Sequence, residues 1–169
     1  RLPPPAFDAA HRSNPEAPTR RALRAKFQAG KLVPPLIAGY QATAHPQTEQ
    51  DVWANPQATP VAEEVARRLK GGVSDAAVAR YLNDIGFATG PRCRKTKWHG
   101  RMVRRWITSP LIGGVHVHGQ WRRVLDRRTG RVRQVKAAPH EVHTRDCPHL
   151  RHLPREEHEA LVRWLEQRR

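Results

Sequence analysis

Apolar residues recur every three or four positions in four stretches of the chain, which is the spacing of amphipathic α-helices. The predicted helices span residues 60–70, 74–86, 97–108 and 154–167. Pro60 suits a first helical turn, Ser74 is a typical N-cap, and Gly86 is a typical terminator. The composition of residues 20–29 predicts the end of a further helix, before Gly30.

The predicted helix at residues 97–108 separates apolar from basic positions most completely. One side holds Trp98, His99, Met102, Val103, Trp106 and Ile107, and the other holds Lys97, Arg101, Arg104, Arg105 and Thr108. The sequence between Gly86 and Val124 contains no Asp or Glu. We therefore expect the basic side to lack local counter-charges and to be free for an anionic partner.

Alternating positions after Pro110 predict strands instead of helices. We expect strands at residues 112–117, 121–125 and 131–136, joined by turns at 118–120 and 126–130 into a three-stranded meander. A short strand is predicted at 37–41, Val52 and Trp53 are expected to anchor the polar segment 45–60, and 139–153 is predicted to be a His-rich loop. The predicted fold class is α+β, with a helical helix-turn-helix-like core, a small antiparallel β-meander and a C-terminal helix.

The net charge of the chain indicates the chemical class of its binding partner. Its 169 residues include 31 Lys and Arg against 15 Asp and Glu, a formal charge of +16. Residues 60–111 carry +7 of this excess and 112–153 carry +6, whereas 1–59 carry +3 and 154–169 are balanced. So large a local excess implies a polyanion, DNA or RNA, as the partner.

Membrane-bound and disulfide-rich classes of protein are less consistent with the composition. No apolar run approaches the ~20 residues that cross a membrane, so no membrane partner is expected. Two cysteines, Cys93 and Cys147, do not suggest a disulfide framework, and we expect a cytoplasmic, nucleoid-associated protein. The proline-rich residues 1–19 are expected to form an extended arm.

A row of arginines on a helix can bind duplex DNA, because guanidinium groups form paired hydrogen bonds with phosphate oxygens or with guanine O6 and N7. The predicted base contacts are Arg101, Arg104 and Arg105. The predicted phosphate contacts are Arg92, Arg94, Lys95, Lys97, Arg122 and Arg123. No catalytic residue, cofactor or metal ligand is assigned.

Histidines raise two metal hypotheses that we weigh against this interpretation. His140, His143, Cys147 and His149 lie within ten positions, but their spacing matches no zinc signature. His116 and His118 would lie on one face of a strand, as in metal-dependent nucleases that cut single-stranded DNA through a tyrosine. Only Tyr40 and Tyr81 exist, and Tyr81 belongs to an apolar stripe.

The order of several short motifs resembles the recombinase domain of the large serine recombinases, which include phage integrases and transposon resolvases. GVSDAAVARYLNDIGFATG, from residue 72, is similar to that domain's Leu-Asn-x-x-Gly helix and Thr-Pro-Gly-like loop. KWHGRMVRRWITSPLIGGV, from residue 97, is similar to its Trp, basic helix and Asn-Pro-x-x-x-Gly turn. The resemblance extends over residues 20–169, with Ser109 in place of the usual Asn and Ile112 in place of the usual Tyr.

The resemblance implies a role in DNA integration or excision. The nucleophilic serine and the zinc ribbon of these enzymes would lie outside this chain, which would itself be non-catalytic and bind half of an attachment site. The parent protein would act as a dimer or tetramer on DNA, and this chain would be a monomer. The implied organisation is an arm and connector helix at 1–29, a recombinase-type DNA-binding domain at 30–153, and a C-terminal helix at 154–169.

Two alternatives stay open from the sequence. One is a free-standing helix-turn-helix transcription regulator, in which the meander would act as a wing. The other is the metal-dependent single-strand nuclease, which would require Mn²⁺ or Mg²⁺.

Overall fold

The computed structural model describes residues 16–126 and 128–168 and confirms the α+β class. The helices are α1 (Glu16–Gln28), α2 (Thr59–Lys70), α3 (Asp75–Asp84), α4 (Gly100–Ile107) and α5 (Arg155–Gln167). The strands are β1 (Tyr40–Ala42), β2 (Val52–Ala54), β3 (Val115–His118), β4 (Trp121–Leu125), β5 (Val132–Lys136) and β6 (His143–Asp146). Most of the predicted arm, residues 1–15, lies outside the described residues.

Helices α2 to α5 meet in a single apolar core, as their stripes predict. The buried side chains that they contribute include Val65, Leu69, Val78, Leu82, Val103, Ile107, Leu161 and Leu165. The predicted helix ends are also confirmed: the Ser74 hydroxyl accepts a hydrogen bond from the Ala77 amide at 3.2 Å, and Gly86 ends the segment with φ +70°. Ile85, which helical spacing would place on the apolar face with Val78 and Leu82, is instead 46% exposed at the C-cap of α3.

The predicted three-stranded meander is wrong in its pairing. The strands form three separate antiparallel pairs, β1 with β2, β3 with β6, and β4 with β5. The partner of β3 lies in the segment that was predicted to be a His-rich loop. Residues 110–113, predicted in part as strand, form a 3₁₀ turn that begins at Pro110, and the Ile112 carbonyl accepts hydrogen bonds from the His152 and Leu153 amides.

The β1–β2 pair shows why only one of its two predicted anchors is buried. Val52 is fully buried, but Trp53 is 40% exposed, because adjacent side chains of a strand point to opposite faces. The Trp53 indole donates to the Gln41 side chain across the pair at 3.0 Å. Val52 therefore anchors this segment, and Trp53 does not.

The C-terminal end of helix α1 packs against the β3–β6 pair. Phe27 is buried there, and the Phe27 ring lies 5.0 Å from the His116 ring and 5.5 Å from the His118 ring. The Arg145 guanidinium of β6 donates to the Phe27 and Gln28 carbonyls and pairs with Glu49 at 3.0 Å. A cation thus satisfies the last carbonyls of α1, where the helix dipole is negative.

Three histidines are buried, and two of them, His152 and His158, form hydrogen bonds with distant segments of the chain. The His152 Nε2 atom donates to the Gly39 carbonyl, and its Nδ1 atom lies 3.0 Å from the Thr59 hydroxyl. The His158 Nε2 atom donates to the Ile107 carbonyl at 2.9 Å. Burial lowers the pKa of His116, His152 and His158, because the charged imidazolium loses its hydration.

These histidines predict that the fold loses stability in mild acid. A histidine whose pKa is lower in the folded chain takes up its proton mainly on unfolding, so its stabilising effect is complete above the unfolded pKa of about 6.5 and declines below it. We expect the urea midpoint to be lower at pH 5.5 than at pH 7.5. The variant His158→Gln keeps an N–H donor for Ile107 but cannot ionise, so its midpoint should change less between the two pH values. Equal pH dependence of both proteins would contradict the assignment.

Candidate nucleic-acid interface

Helix α4 begins at Gly100, three residues later than predicted. Trp98 and His99 therefore precede the helix instead of lying on its apolar face, and His99 is the N-cap. A Cβ atom at residue 100 would lie 3.1 Å from the Asp75 Cβ atom, so glycine permits the close approach of α4 to the start of α3. The buried side of α4 is made by Val103, Trp106 and Ile107.

Two buried tryptophans fix the two ends of α4. The Trp98 indole donates to the Phe87 carbonyl at 2.6 Å, and the Trp106 indole donates to the Ala38 carbonyl at 2.9 Å. Their ring centroids are 5.4 Å apart, and the Phe87 ring packs against both. Because each indole N–H has a partner, both large rings are buried without an unsatisfied donor.

Asn83 is a structurally important residue that the sequence analysis missed. Its side-chain oxygen accepts from the Trp98 amide at 2.7 Å, and its side-chain nitrogen donates to the Trp98 carbonyl at 3.0 Å. This paired hydrogen bond joins the last turn of α3 to Trp98, two residues before α4 begins. In the sequence, the indication of this role is that a polar side chain lies next to the apolar stripe of α3, just before the loop to α4 begins.

The outer side of α4 presents two arginines to solvent. Arg101 and Arg105 are four residues apart and therefore neighbours on one side of the helix, and both are exposed. Among residues 16–126 and 128–168, neither forms an ion pair with a carboxylate. This part of the predicted basic row is available to an anionic partner.

Arg104 differs from its neighbours and corrects the expectation that the basic side lacks counter-charges. Its Nε atom lies 2.8 Å from Asp75 Oδ2, and its Nη1 atom donates to the Leu165 carbonyl at 3.2 Å. Only 29% of its side chain is exposed. Arg104 therefore connects the beginning of α3, the middle of α4 and the end of α5, and the carboxylate that pairs with it lies 29 positions earlier in the chain.

The loop between α3 and α4 is ordered by its own contacts and carries exposed cations. The Thr89 hydroxyl donates to the Lys95 carbonyl at 2.6 Å. Gly90 has φ +100°, and a Cβ atom there would lie 2.7 Å from the Ala38 amide nitrogen, so the loop packs closely against another segment. The exposed cations of the loop are the four predicted phosphate contacts Arg92, Arg94, Lys95 and Lys97.

The remaining predicted phosphate contacts lie on β4, away from α4 in the sequence. Arg122 and Arg123 are exposed and point to opposite faces of the β4–β5 pair. Arg122 is 4.0 Å from Glu141, whereas Arg123 has no carboxylate partner in the described part of the chain. The nine predicted contacts therefore occupy three elements: the loop, the helix and the strand pair.

One residue of each metal hypothesis, His116 and Cys147, is buried in the packing of the protein. His116 is buried against Phe27, and its Nδ1 atom is 3.6 Å from Glu49. Burial raises the pKa of the Cys147 thiol to about 11, and that thiol is 3.5 Å from Glu49. Within the described ranges, no group of three or more His, Cys, Asp or Glu side chains has an arrangement that could hold a metal ion.

The two tyrosines are likewise not placed as nucleophiles. The Tyr40 hydroxyl is buried and donates to the Leu111 carbonyl at 2.7 Å, and burial raises the pKa of Tyr40 far above its usual value. The Arg68 guanidinium carbon lies over the Tyr81 ring, 3.9 Å from the centroid of that ring. The donor set and the tyrosines thus give no support to a single-strand nuclease.

The contrast between Arg104 and Arg105 predicts different effects on stability. Arg104→Ala removes charged hydrogen bonds and leaves Asp75 half-buried without a partner, so we expect a loss of about 1–2 kcal/mol in the free energy of unfolding. Arg105→Ala, a neighbouring exposed arginine on the same helix, should change this free energy by less than about 0.5 kcal/mol. Urea unfolding of both variants provides the comparison, and equal losses would show that the Asp75 pair contributes nothing specific.

Comparison with known proteins places the chain in a family. A family model described as Recombinase matches residues 56–168, which include α2 to α5 and the whole region of α4 and its preceding loop. Neither the comparison with curated proteins nor that with solved structures finds a match. No helix in the described part of the chain is long and apolar enough to cross a membrane. Since the matched residues make up about two thirds of the sequence, the chain belongs to the Recombinase family.

Proposed function

We propose that the chain binds double-stranded DNA sequence-specifically as part of a site-specific serine recombinase that integrates or excises DNA. Membership of the Recombinase family supports a role in site-specific recombination. The single observation that carries the DNA-binding proposal is the exposed pair Arg101 and Arg105 on α4. The opposite side of α4 packs into the core through buried Val103, Trp106 and Ile107. The two guanidinium groups therefore project from a rigid support.

In this proposal α4 lies in the major groove, where Arg101 and Arg105 contact base edges. An α-helix fits the width of that groove, and arginine makes paired hydrogen bonds with guanine O6 and N7. We do not assign Arg104 to the bases, because its guanidinium is engaged by Asp75 and the Leu165 carbonyl. Moving it to DNA would leave the Asp75 carboxylate without its cation.

The loop before α4 supplies the contacts to the DNA backbone. Arg92, Arg94, Lys95 and Lys97 are exposed and lie within six positions that end next to the anchored Trp98. Cations placed along a backbone release condensed counterions, which makes binding strong at low salt and fixes the register of the helix in the groove. Arg122 adds a further phosphate contact on β4.

We further propose that this chain binds half of an attachment site as a monomer and does not itself cleave DNA. The Ser74 hydroxyl is occupied as a helix cap, and the Tyr40 hydroxyl is buried in the core. Strand cleavage would then come from another domain of the recombinase, and assembly into dimers or tetramers would take place on DNA. A free-standing transcription regulator would use the same surface but would not require the recombinase family relation.

The assignment of roles predicts two kinds of DNA-binding defect. A preferred duplex would first be selected from a randomised pool with the complete chain. Arg101→Ala or Arg105→Ala should weaken binding to that duplex by about 1–3 kcal/mol and relax the preference at one base pair. Lys95→Ala should weaken binding to selected and scrambled duplexes alike and reduce the slope of log K against log salt by about one.

The matched control for this experiment is Arg163→Ala, which removes an exposed cation from α5. It should leave both duplex affinities close to those of the unchanged chain. Fluorescence anisotropy over a series of salt concentrations gives all the required constants. If every variant weakens the selected and scrambled duplexes equally, α4 does not contact base edges, and the chain binds DNA only through charge.

A further inference from the structure

The β4–β5 hairpin is a two-stranded ribbon with an unusual outward face. Three of its large apolar side chains are exposed: Trp121 by 61%, Leu125 by 59% and Val132 by 57%. In the described residues no other strand pairs with either strand of this ribbon. Folding gains nothing from leaving three such side chains in water, so this face is suited to a partner.

The register of the ribbon places three cross-strand pairs on that face. Trp121 is opposite Lys136, Arg123 is opposite Gln134, and Leu125 is opposite Val132. Side chains alternate along a strand, so these three pairs share one side of the ribbon. An arginine and a glutamine therefore sit side by side at the centre, with apolar groups beyond them at both ends.

The opposite side of the ribbon turns toward the rest of the protein. It carries Val124 and Val135, which are the half-buried members of the two strands. Arg122 on the same side reaches Glu141, at 4.0 Å. The chain continues from β5 to Ala137, which is buried and donates to the Gln120 carbonyl at 2.9 Å. The ribbon is thus attached at its base, with the Arg123 and Gln134 face directed outward.

The charge of the ribbon indicates which class of partner fits this face. Residues 121–136 contain seven basic side chains and one acid, a net charge of +6. Two copies of the chain that met through this face would bring these charges together, which opposes self-association. A polyanion would instead be attracted, and a two-stranded ribbon has the width that the major groove of B-DNA admits.

We infer that the outward face of the β4–β5 ribbon enters the major groove of duplex DNA, where Arg123 and Gln134 contact base edges. The inference rests on the proposed DNA-binding function and adds a second base-contacting element to α4. Arginine pairs with guanine O6 and N7, and glutamine pairs with adenine N6 and N7. Leu125 and Val132 are suited to thymine methyl groups. Arg123 is thereby reassigned from the phosphates to the bases.

The chemistry of this face predicts a separate set of base preferences. Sites selected from a randomised duplex pool by Arg123→Ala or Gln134→Ala should lose the preference at one or two base pairs. The discrimination lost at each should be about 5- to 150-fold. These base pairs should differ from those affected by Arg105→Ala. Arg133→Ala, an exposed arginine on the inward side of the same ribbon, is the matched control and should lower affinity for all sequences evenly.

Modified DNA tests the contact atom by atom. Replacing the guanine whose preference depends on Arg123 with 7-deazaguanine removes the N7 acceptor from the major groove. This duplex should bind less tightly to the unchanged chain, whereas Arg123→Ala should bind modified and unmodified duplexes equally. Circular dichroism of each variant confirms that the fold is retained.

Distinct outcomes separate this inference from the proposed function. If Arg123→Ala and Gln134→Ala keep every base preference while Arg105→Ala loses one, the ribbon inference is overturned and DNA binding through α4 stands. If the unchanged chain has no base preference and no variant alters its binding to particular sequences, the proposed sequence-specific DNA binding fails as well. If the chain dimerises without DNA and Trp121→Ala abolishes that dimer, the face belongs to a second copy, and the inference is overturned.

Discussion

The paired anchoring of α4 by two tryptophans is the constraint on which the candidate interface depends. Trp98 lies just before α4 and Trp106 lies in its last turn. The Trp98 indole donates to the Phe87 carbonyl, and the Trp106 indole donates to the Ala38 carbonyl. Asn83 fixes the backbone of Trp98 from α3. An eight-residue helix would be marginal alone, so its rigidity comes from this tertiary packing and not from helix propensity.

The arginines of α4 show how the same residue type takes two roles within five positions. Arg101 and Arg105 are exposed, whereas Arg104 is held between Asp75 and the Leu165 carbonyl. Half-buried ion pairs of this kind position elements relative to one another even when their net contribution to stability is small. Arg104 therefore orients the helix from which its neighbours project, and the core and the surface are linked through one side chain.

Local patterns in the sequence were sufficient to locate the helices and to predict the ends of the α3 segment, although α4 begins three residues later than predicted. Ser74 and Gly86 mark the limits of the α3 segment because capping and left-handed termination are determined by the residues at those positions. The strand pairing was not predictable in the same way, since β3 pairs with β6, about 28 residues later, and the local alternation of both is weak. The α+β class required only the presence of these elements, and so it was predicted correctly.

The candidate site shows the same division between local and distant information. Exposure of the basic side of α4 follows from helical periodicity, and it holds for Arg101 and Arg105. The engagement of Arg104 could not be predicted, because counting charges between Gly86 and Val124 omits Asp75, which is brought close only by folding. The asymmetry of the β4–β5 ribbon likewise depends on which face packs inward, which the sequence of two short, mostly exposed strands does not specify.

The last turn of α1 meets a strand and a short 3₁₀ turn at one guanidinium group. The Arg145 side chain of β6 donates to the Phe27 and Gln28 carbonyls and also pairs with Glu49. Replacing Arg145 would therefore remove the cation from a helix end and from a carboxylate at the same time. One side chain thus couples the end of α1 to β6 and to the turn at Glu49–Asp51.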